Sequence, residues 1–165
     1  MSSCNRRKAL AWLAATPVAV ALSACGFTPA YGPAGGASRL TDRVEVSEPS
    51  TTETYLMTRH LEDRLGRTGT PDYRLSYDLA LSEERIAITA NNITRRFNLV
   101  GTATYKLETL DGRVITEGSV ENFAGYSATG STVATRAARR TAQERLTTIL
   151  ADDIVTRLIA AAPSA

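Results

Sequence analysis

Tyr73-Arg74-Leu75-Ser76-Tyr77-Asp78-Leu79-Ala80-Leu81 is the stretch that decides the fold. Large apolar side chains hold every second position, with mostly polar residues between them. Successive side chains of a strand point to opposite faces, so this pattern specifies a strand with one packed face and one wet face. Ile86 and Ile88 have the opposite parity, which places a bulge or break near Ser82-Glu83-Glu84-Arg85. Ala90-Asn91-Asn92 reads as a turn, after which Phe97, Leu99, Ala103, Tyr105 and Leu107 alternate again. Asp111-Gly112 is a two-residue hairpin signal. The returning strand, Arg113 to Tyr126, carries Val114, Ile115, Val120 and Phe123 as its apolar residues. These three segments form a meander.

Helices flank it. Arg43-Val44-Glu45-Val46 is a short strand signal, and Ser50-Thr51-Thr52-Glu53 has the form of a capping box. In such a box the first side chain accepts from the backbone three residues on, and the acid reaches back. Met57, Leu61 and Leu65 follow at i+4 spacing with Leu56 beside them, Gly66 can end the helix, and Pro71 prevents its resumption. After the break at 125–130, Ser131 is an N-cap candidate for a last helix reaching about Ala161. Its ridge is Ala138, Ala142, Leu146, Leu150, Ile154 and Leu158, widened by Ile149. The expected class is α+β: a two-layer sandwich, a mostly antiparallel sheet of about four strands with two helices on one face.

The amino-terminal segment has a different character. Arg6, Arg7 and Lys8 form a basic head, Ala9 to Ala21 is an apolar run of 13 residues, and Leu22-Ser23-Ala24-Cys25 closes it. A bilayer span needs about 20 apolar residues, so this run reads as a secretory signal. Aliphatic, small, small, cysteine is the lipobox of bacterial lipoproteins, with Cys25 as the lipidated residue. The alternative is an ordinary secreted protein in which Cys25 follows the signal by chance. The expected division is signal peptide 1–24, lipidated flexible tether 25–39 rich in Gly, Pro and Ala, and folded domain 40–165. Acyl chains contribute about 0.8 kcal/mol per buried methylene, so two or more give stable anchoring. Gly26 after the cysteine fits onward transfer to the outer membrane.

The formal charge of +2 comes from 19 basic and 17 acidic residues. Three of the basic ones are Arg6, Arg7 and Lys8, so the chain from Cys25 onward has sixteen against seventeen and a net charge of about −1. Nucleic-acid binders carry a basic excess, and none is expected as a partner. One histidine and two cysteines are too few for a structural zinc site. No catalytic constellation stands out. Gly125-Tyr126-Ser127-Ala128-Thr129-Gly130 has its second glycine one residue late for a nucleophile elbow. His60, the one histidine, lies mid-helix. Glu83-Glu84 and Asp152-Asp153 are adjacent pairs whose side chains diverge.

Cys25-Gly26-Phe27-Thr28-Pro29-Ala30-Tyr31-Gly32 resembles the mature start of the lipopolysaccharide-assembly lipoprotein family, LptE, in its alphaproteobacterial form. The order of elements is similar too: short strand, helix, three-stranded meander, long last helix. The resemblance implies an outer-membrane lipoprotein, facing the periplasm, that partners the large β-barrel LptD. Such a protein occupies the barrel lumen, helps the barrel assemble and helps place lipopolysaccharide in the outer leaflet. It acts without catalysis and with no cofactor beyond the diacylglyceryl and N-acyl groups on the cysteine. Lipopolysaccharide phosphates call for cations, and arginine meets them through its two-pronged fork. Arg95 and Arg96 are the first candidates, with Arg85 and Lys106 behind them. Arg136, Arg139 and Arg140 share a helix face and form a competing basic patch or a solvated surface. The alternative function is an accessory lipoprotein of another envelope lipid-transport system of the ABC type.

Overall fold

A computed structural model describes residues 29–33, 35–88, 94–128 and 130–163, with side chains for all of these except 87, 88, 94 and 95. The signal segment, Cys25 and the Asn91-Asn92 turn lie outside the described residues.

The elements run α1 (Gly36–Leu40), β1 (Val44–Val46), α2 (Thr52–Leu65), β2 (Tyr73–Ile88), β3 (Thr94–Thr109), β4 (Val114–Ser127) and α3 (Thr132–Ala161). The sheet order is β1-β2-β3-β4. β2, β3 and β4 are the expected antiparallel meander. β1 instead lies parallel to β2, pairing Val44 with Tyr73 and Val46 with Leu75, so the sheet is mixed. Parallel neighbours need a crossover, and α2 supplies it.

The alternation read in the sequence is the packing. Leu75 on β2, Leu99, Ala103 and Leu107 on β3, and Val120 and Ala124 on β4 are buried beneath the helices. The α3 ridge is buried from Ala142 through Leu146, Leu150 and Ile154 to Leu158. The ridge is widened by Thr147, Ala151 and Val155, whereas Ile149 is exposed. Gly101 explains how closely α3 approaches: a Cβ there would crowd the side chains of Leu146, Leu150 and Leu81. Each fully buried Leu or Ile contributes roughly 1.5–3 kcal/mol relative to exposure.

Local details shift by a residue or so from expectation. The N-cap of α2 is Thr51, whose side chain accepts from the backbone N–H of Thr54, while the Thr54 hydroxyl accepts from the backbone N–H of Thr51. Thr54 thus takes the role expected of Glu53, which frees Glu53 to accept from Gln143 of α3 at 3.1 Å. The irregularity in β2 falls past Arg85: Arg85 faces Phe97 and Ala87 faces Arg96, leaving Ile86 as the extra residue. Gly66 closes α2 at φ 82°, a region that disfavours any side chain, and a Cβ there would strike Asp42. On β4, Phe123 and Val114 point to solvent; the core positions are Val120, Ala124 and Tyr126.

The stretch rich in Gly, Pro and Ala ends in α1, where Ala37 and Leu40 are buried. This segment docks at the carboxyl end of α3. The Arg39 guanidinium donates to the Pro163 carbonyl, and Gly36 sits so close to Ile159 that its backbone leaves no room for a Cβ. Tyr31 accepts at its hydroxyl from Arg64 of α2 at 3.2 Å, and Arg64 also faces Asp152 of α3 at 3.6 Å.

Replacing Leu150 by Ala is expected to lower the unfolding free energy by about 2–5 kcal/mol in urea titrations. Ile149→Ala, one residue away, should change it by about 0.5 kcal/mol or less. A larger loss at Ile149 than at Leu150 would contradict this packing.

Candidate functional site

The end of the sheet where β2 and β3 approach their connecting turn collects the arginines. β4 ends at Ser127, opposite Arg96, and α3 starts five residues later at Thr132, so the first turns of α3 lie at the same end. There Arg85 and Arg96 come to the same end of the sheet as the helical patch, Arg85 on the parity of the helix-covered face and Arg96 on the open one.

An ion pair organises it. Glu83 continues the inward parity of Tyr73 to Leu81, which brings a carboxylate to the helix-covered face. Its Oε2 accepts from the Tyr126 hydroxyl at 2.8 Å and faces Arg139 Nε at 3.1 Å. Tyr126 stacks on Phe97 with ring centroids 5.3 Å apart. β2, β3, β4 and α3 are thereby tied at one point. Burial, and then the bond to the Glu83 carboxylate, push the Tyr126 hydroxyl up to about 12.

Beyond this bridge lie cations that have no acidic partner among the described residues. Arg85 is two residues past Glu83 on the same strand, and Arg136 is one turn before Arg139 on the same helix. Both are exposed, and among the described residues neither has an ion pair. Arg96 is exposed on the opposite, open face, across from Ser127, and likewise has none among the described residues. The backbone of Arg95 falls in β3 between the paired residues Thr94 and Arg96; its side chain lies outside the described residues. Arg140 is drawn along the helix to Glu144 at 3.6 Å, and Arg145 donates to the Gly125 carbonyl at 2.9 Å.

Lys106 is not part of this region. It lies ten residues from Arg96 on β3, a distance of about 33 Å along a strand. It pairs with Glu108 at 2.8 Å, and Glu108 first and Glu117 in addition hold its ammonium above the usual lysine value. Two carboxylates already compete for that cation.

The other end of the molecule is where the amino-terminal segment docks. A cleft of about 690 Å³ lies there, lined by Ala30, Tyr31, Gly36, Arg39, Thr156 and Ile159. It is separated from Arg136 by most of α3, whose 30 residues span about 45 Å. His60 and Ser127 share no hydrogen bond among the described residues, and no group of three or more His, Cys, Asp or Glu there is placed to hold a metal. No helix among the described residues is long and apolar enough to cross a membrane.

The Glu83-Tyr126-Arg139 bridge is the feature of this end that sequence patterning missed. Its signal was the odd position of Glu83, an acid on the parity of Leu79 and Leu81. Because the folded Tyr126 binds its proton more tightly than an unfolded tyrosine, its contribution is complete below the ordinary value of 10.0 and is lost as pH rises towards about 12. Glu83→Gln should bring the Tyr126 titration down towards the ordinary value in an absorbance titration; an unmoved titration would contradict the bridge.

A family model described as LptE, lipopolysaccharide-assembly, matches residues 41–158. A crystal structure of a lipoprotein from Caulobacter crescentus CB15 is similar at 27% identity and a TM-score of 0.63, covering 78% of this chain and 96% of that one. The rare lipoprotein B of Shewanella oneidensis has the same fold at 11% identity and a TM-score of 0.56, covering 72% and 92%. A minor lipoprotein of Acinetobacter baumannii shares it at 17% identity and a TM-score of 0.55, covering 72% and 91%. No curated protein sequence matches the chain.

Proposed function

We propose a function from one premise: the chain belongs to the LptE, lipopolysaccharide-assembly family. It is an envelope lipoprotein of lipopolysaccharide assembly. In our reading, Cys25 carries the diacylglyceryl and N-acyl groups that anchor it to the outer membrane on the periplasmic side. The domain sits in the lumen of an LptD-like β-barrel, helps that barrel assemble, and assists the insertion of lipopolysaccharide into the outer leaflet. It works by binding and positioning, with no covalent step.

The observation that carries this reading is the separation of the two ends. Three residues lie between Cys25 and Pro29, the first described residue, and the segment that follows docks at the carboxyl end of α3. Arg85, Arg96 and Arg136, which have no ion pair among the described residues, stand towards the amino end, and Arg136 is about 35 Å from Ile159 along the helix. A protein anchored in one leaflet and handling a phosphorylated lipid bound for the other needs this kind of polarity. Arg85, Arg96 and Arg136 have the chemistry for phosphate, and Arg95 follows as a fourth candidate by its place in β3. The open sheet face, with Arg74, Ser76, Asp78, Asn98, Thr102 and Thr104, is polar, as the interior of an outer-membrane barrel is.

Arg85→Glu combined with Arg96→Glu should weaken binding of purified lipopolysaccharide about tenfold or more, a change of about 1.4 kcal/mol. Lys106→Glu should leave it within about twofold, because that cation is already paired. Unchanged affinity in the double variant, or a larger loss at Lys106, would remove the arginine end as the contact. Detergent extraction under conditions that preserve barrels should recover the protein with a β-barrel partner; recovery alone would contradict the lumen reading.

A further inference from the structure

The two edges of the sheet are not alike. On one side β1 is three residues long, too short to template much pairing. On the other side β4 runs for 14 residues with nothing paired to its outer edge among the described residues. Soluble proteins usually protect such an edge with lysine, proline or a bulge. β4 has no lysine, arginine or proline, and its one irregularity, opposite Leu107 and Glu108, lies at its first turn.

The direction of the free groups follows from the bonds that are made. The Phe123 N–H is taken by the Asn122 side chain at 3.0 Å, and the Gly125 carbonyl by Arg145 at 2.9 Å. Backbone groups alternate in direction along a strand, so residues 117, 119, 121, 123 and 125 point their N–H and C=O outward. Side chains of this chain already cover the edge at 123 and 125. At Glu117, Ser119 and Glu121 it is open, and all three residues are exposed.

The same three residues put their side chains on the open face, which makes the open edge acidic. Glu117 and Glu121 flank Ser119, Glu108 lies on the adjoining strand, and the nearby cation, Lys106, is bound to Glu108. Among the described residues Glu121 makes only a long contact, accepting from Thr102 at 3.5 Å. A second copy of β4 would set acidic residues near acidic residues, which is unfavourable in cross-strand pairs. Full-length antiparallel pairing of β4 with itself would also match residue 114 with 127. That register sums to an odd number and sets open-face side chains against covered ones.

We propose that the edge at Glu117–Glu121 docks an extended strand of a partner protein that carries lysine or arginine at alternate positions, adding a fifth strand to the sheet. The backbone ladder supplies affinity, and the two glutamates select the cationic strand. The inference does not depend on the lipopolysaccharide reading, since it uses neither Cys25 nor the arginine end.

The test measures amide hydrogen exchange of the detergent-solubilised full chain with two probes, a short peptide of alternating lysine and valine and its counterpart with glutamate in place of lysine. The lysine peptide should slow exchange at Glu117, Ser119 and Glu121 about tenfold, and the glutamate peptide should not. Ser119→Pro removes an outward N–H and should abolish the protection, since proline is tolerated on edge strands. Joint Glu117→Lys and Glu121→Lys should reverse the preference between the peptides, which keeps the test decisive if the proline variant fails to fold. Protection by neither peptide, equal protection by both, or protection arising from self-association with no peptide added would overturn the proposal.

Discussion

The contact between the α3 ridge and the sheet is the constraint on which the rest depends. Leu146, Leu150, Ile154 and Leu158 are fully buried, and they hold a helix of about 45 Å flat on β3 and β4. Gly101 allows that contact to be close. Because the helix is 30 residues long, its two ends become two separate places. One receives α1 and the segment leading from Cys25. The other carries the arginines next to the Glu83-Tyr126-Arg139 bridge. Shortening or loosening the helix would blur the distinction between them.

Charge placement follows from this frame. Arg139 is held by Glu83, Arg140 by Glu144 and Arg145 by a carbonyl, so their role is largely internal. Arg85, Arg96 and Arg136 have no ion pair among the described residues. At mid-sheet the balance reverses, with Glu117 and Glu121 on the outer strand and a lysine already engaged. A protein with nearly equal numbers of acids and bases thus places arginines at one end of the sheet and glutamates along its outer strand.

Much of the fold was legible because period-2 and i+4 patterns report burial directly. Leu75 to Leu81 on β2 and the ridge from Ala142 to Leu158 sit where their spacing put them. What patterning could not resolve were competitions between close alternatives. Thr54 and Glu53 both offer a side chain three residues after a hydroxyl, and in the folded chain Thr54 completes the box while Glu53 accepts from Gln143. Ile86 or a neighbour could each absorb the parity change, and the pairing of Arg85 with Phe97 fixed which one did. The parallel placement of β1 is a choice of topology that three residues do not encode. At the site, the chemistry of Arg85 and Arg96 was visible in the sequence, but the distance to Lys106 and its pairing with Glu108 were not. That Arg85, Arg96 and Arg136 share one end of the sheet is likewise a property of the folded chain.

The central claim is that the anchored end and the lipid-handling end lie at opposite ends of α3. Its most direct test places a photo-crosslinking amino acid at position 96 or at position 31 in living cells. The account predicts lipopolysaccharide adducts from position 96 and none above background from position 31. Equal labelling at both positions, or labelling confined to position 31, would contradict it.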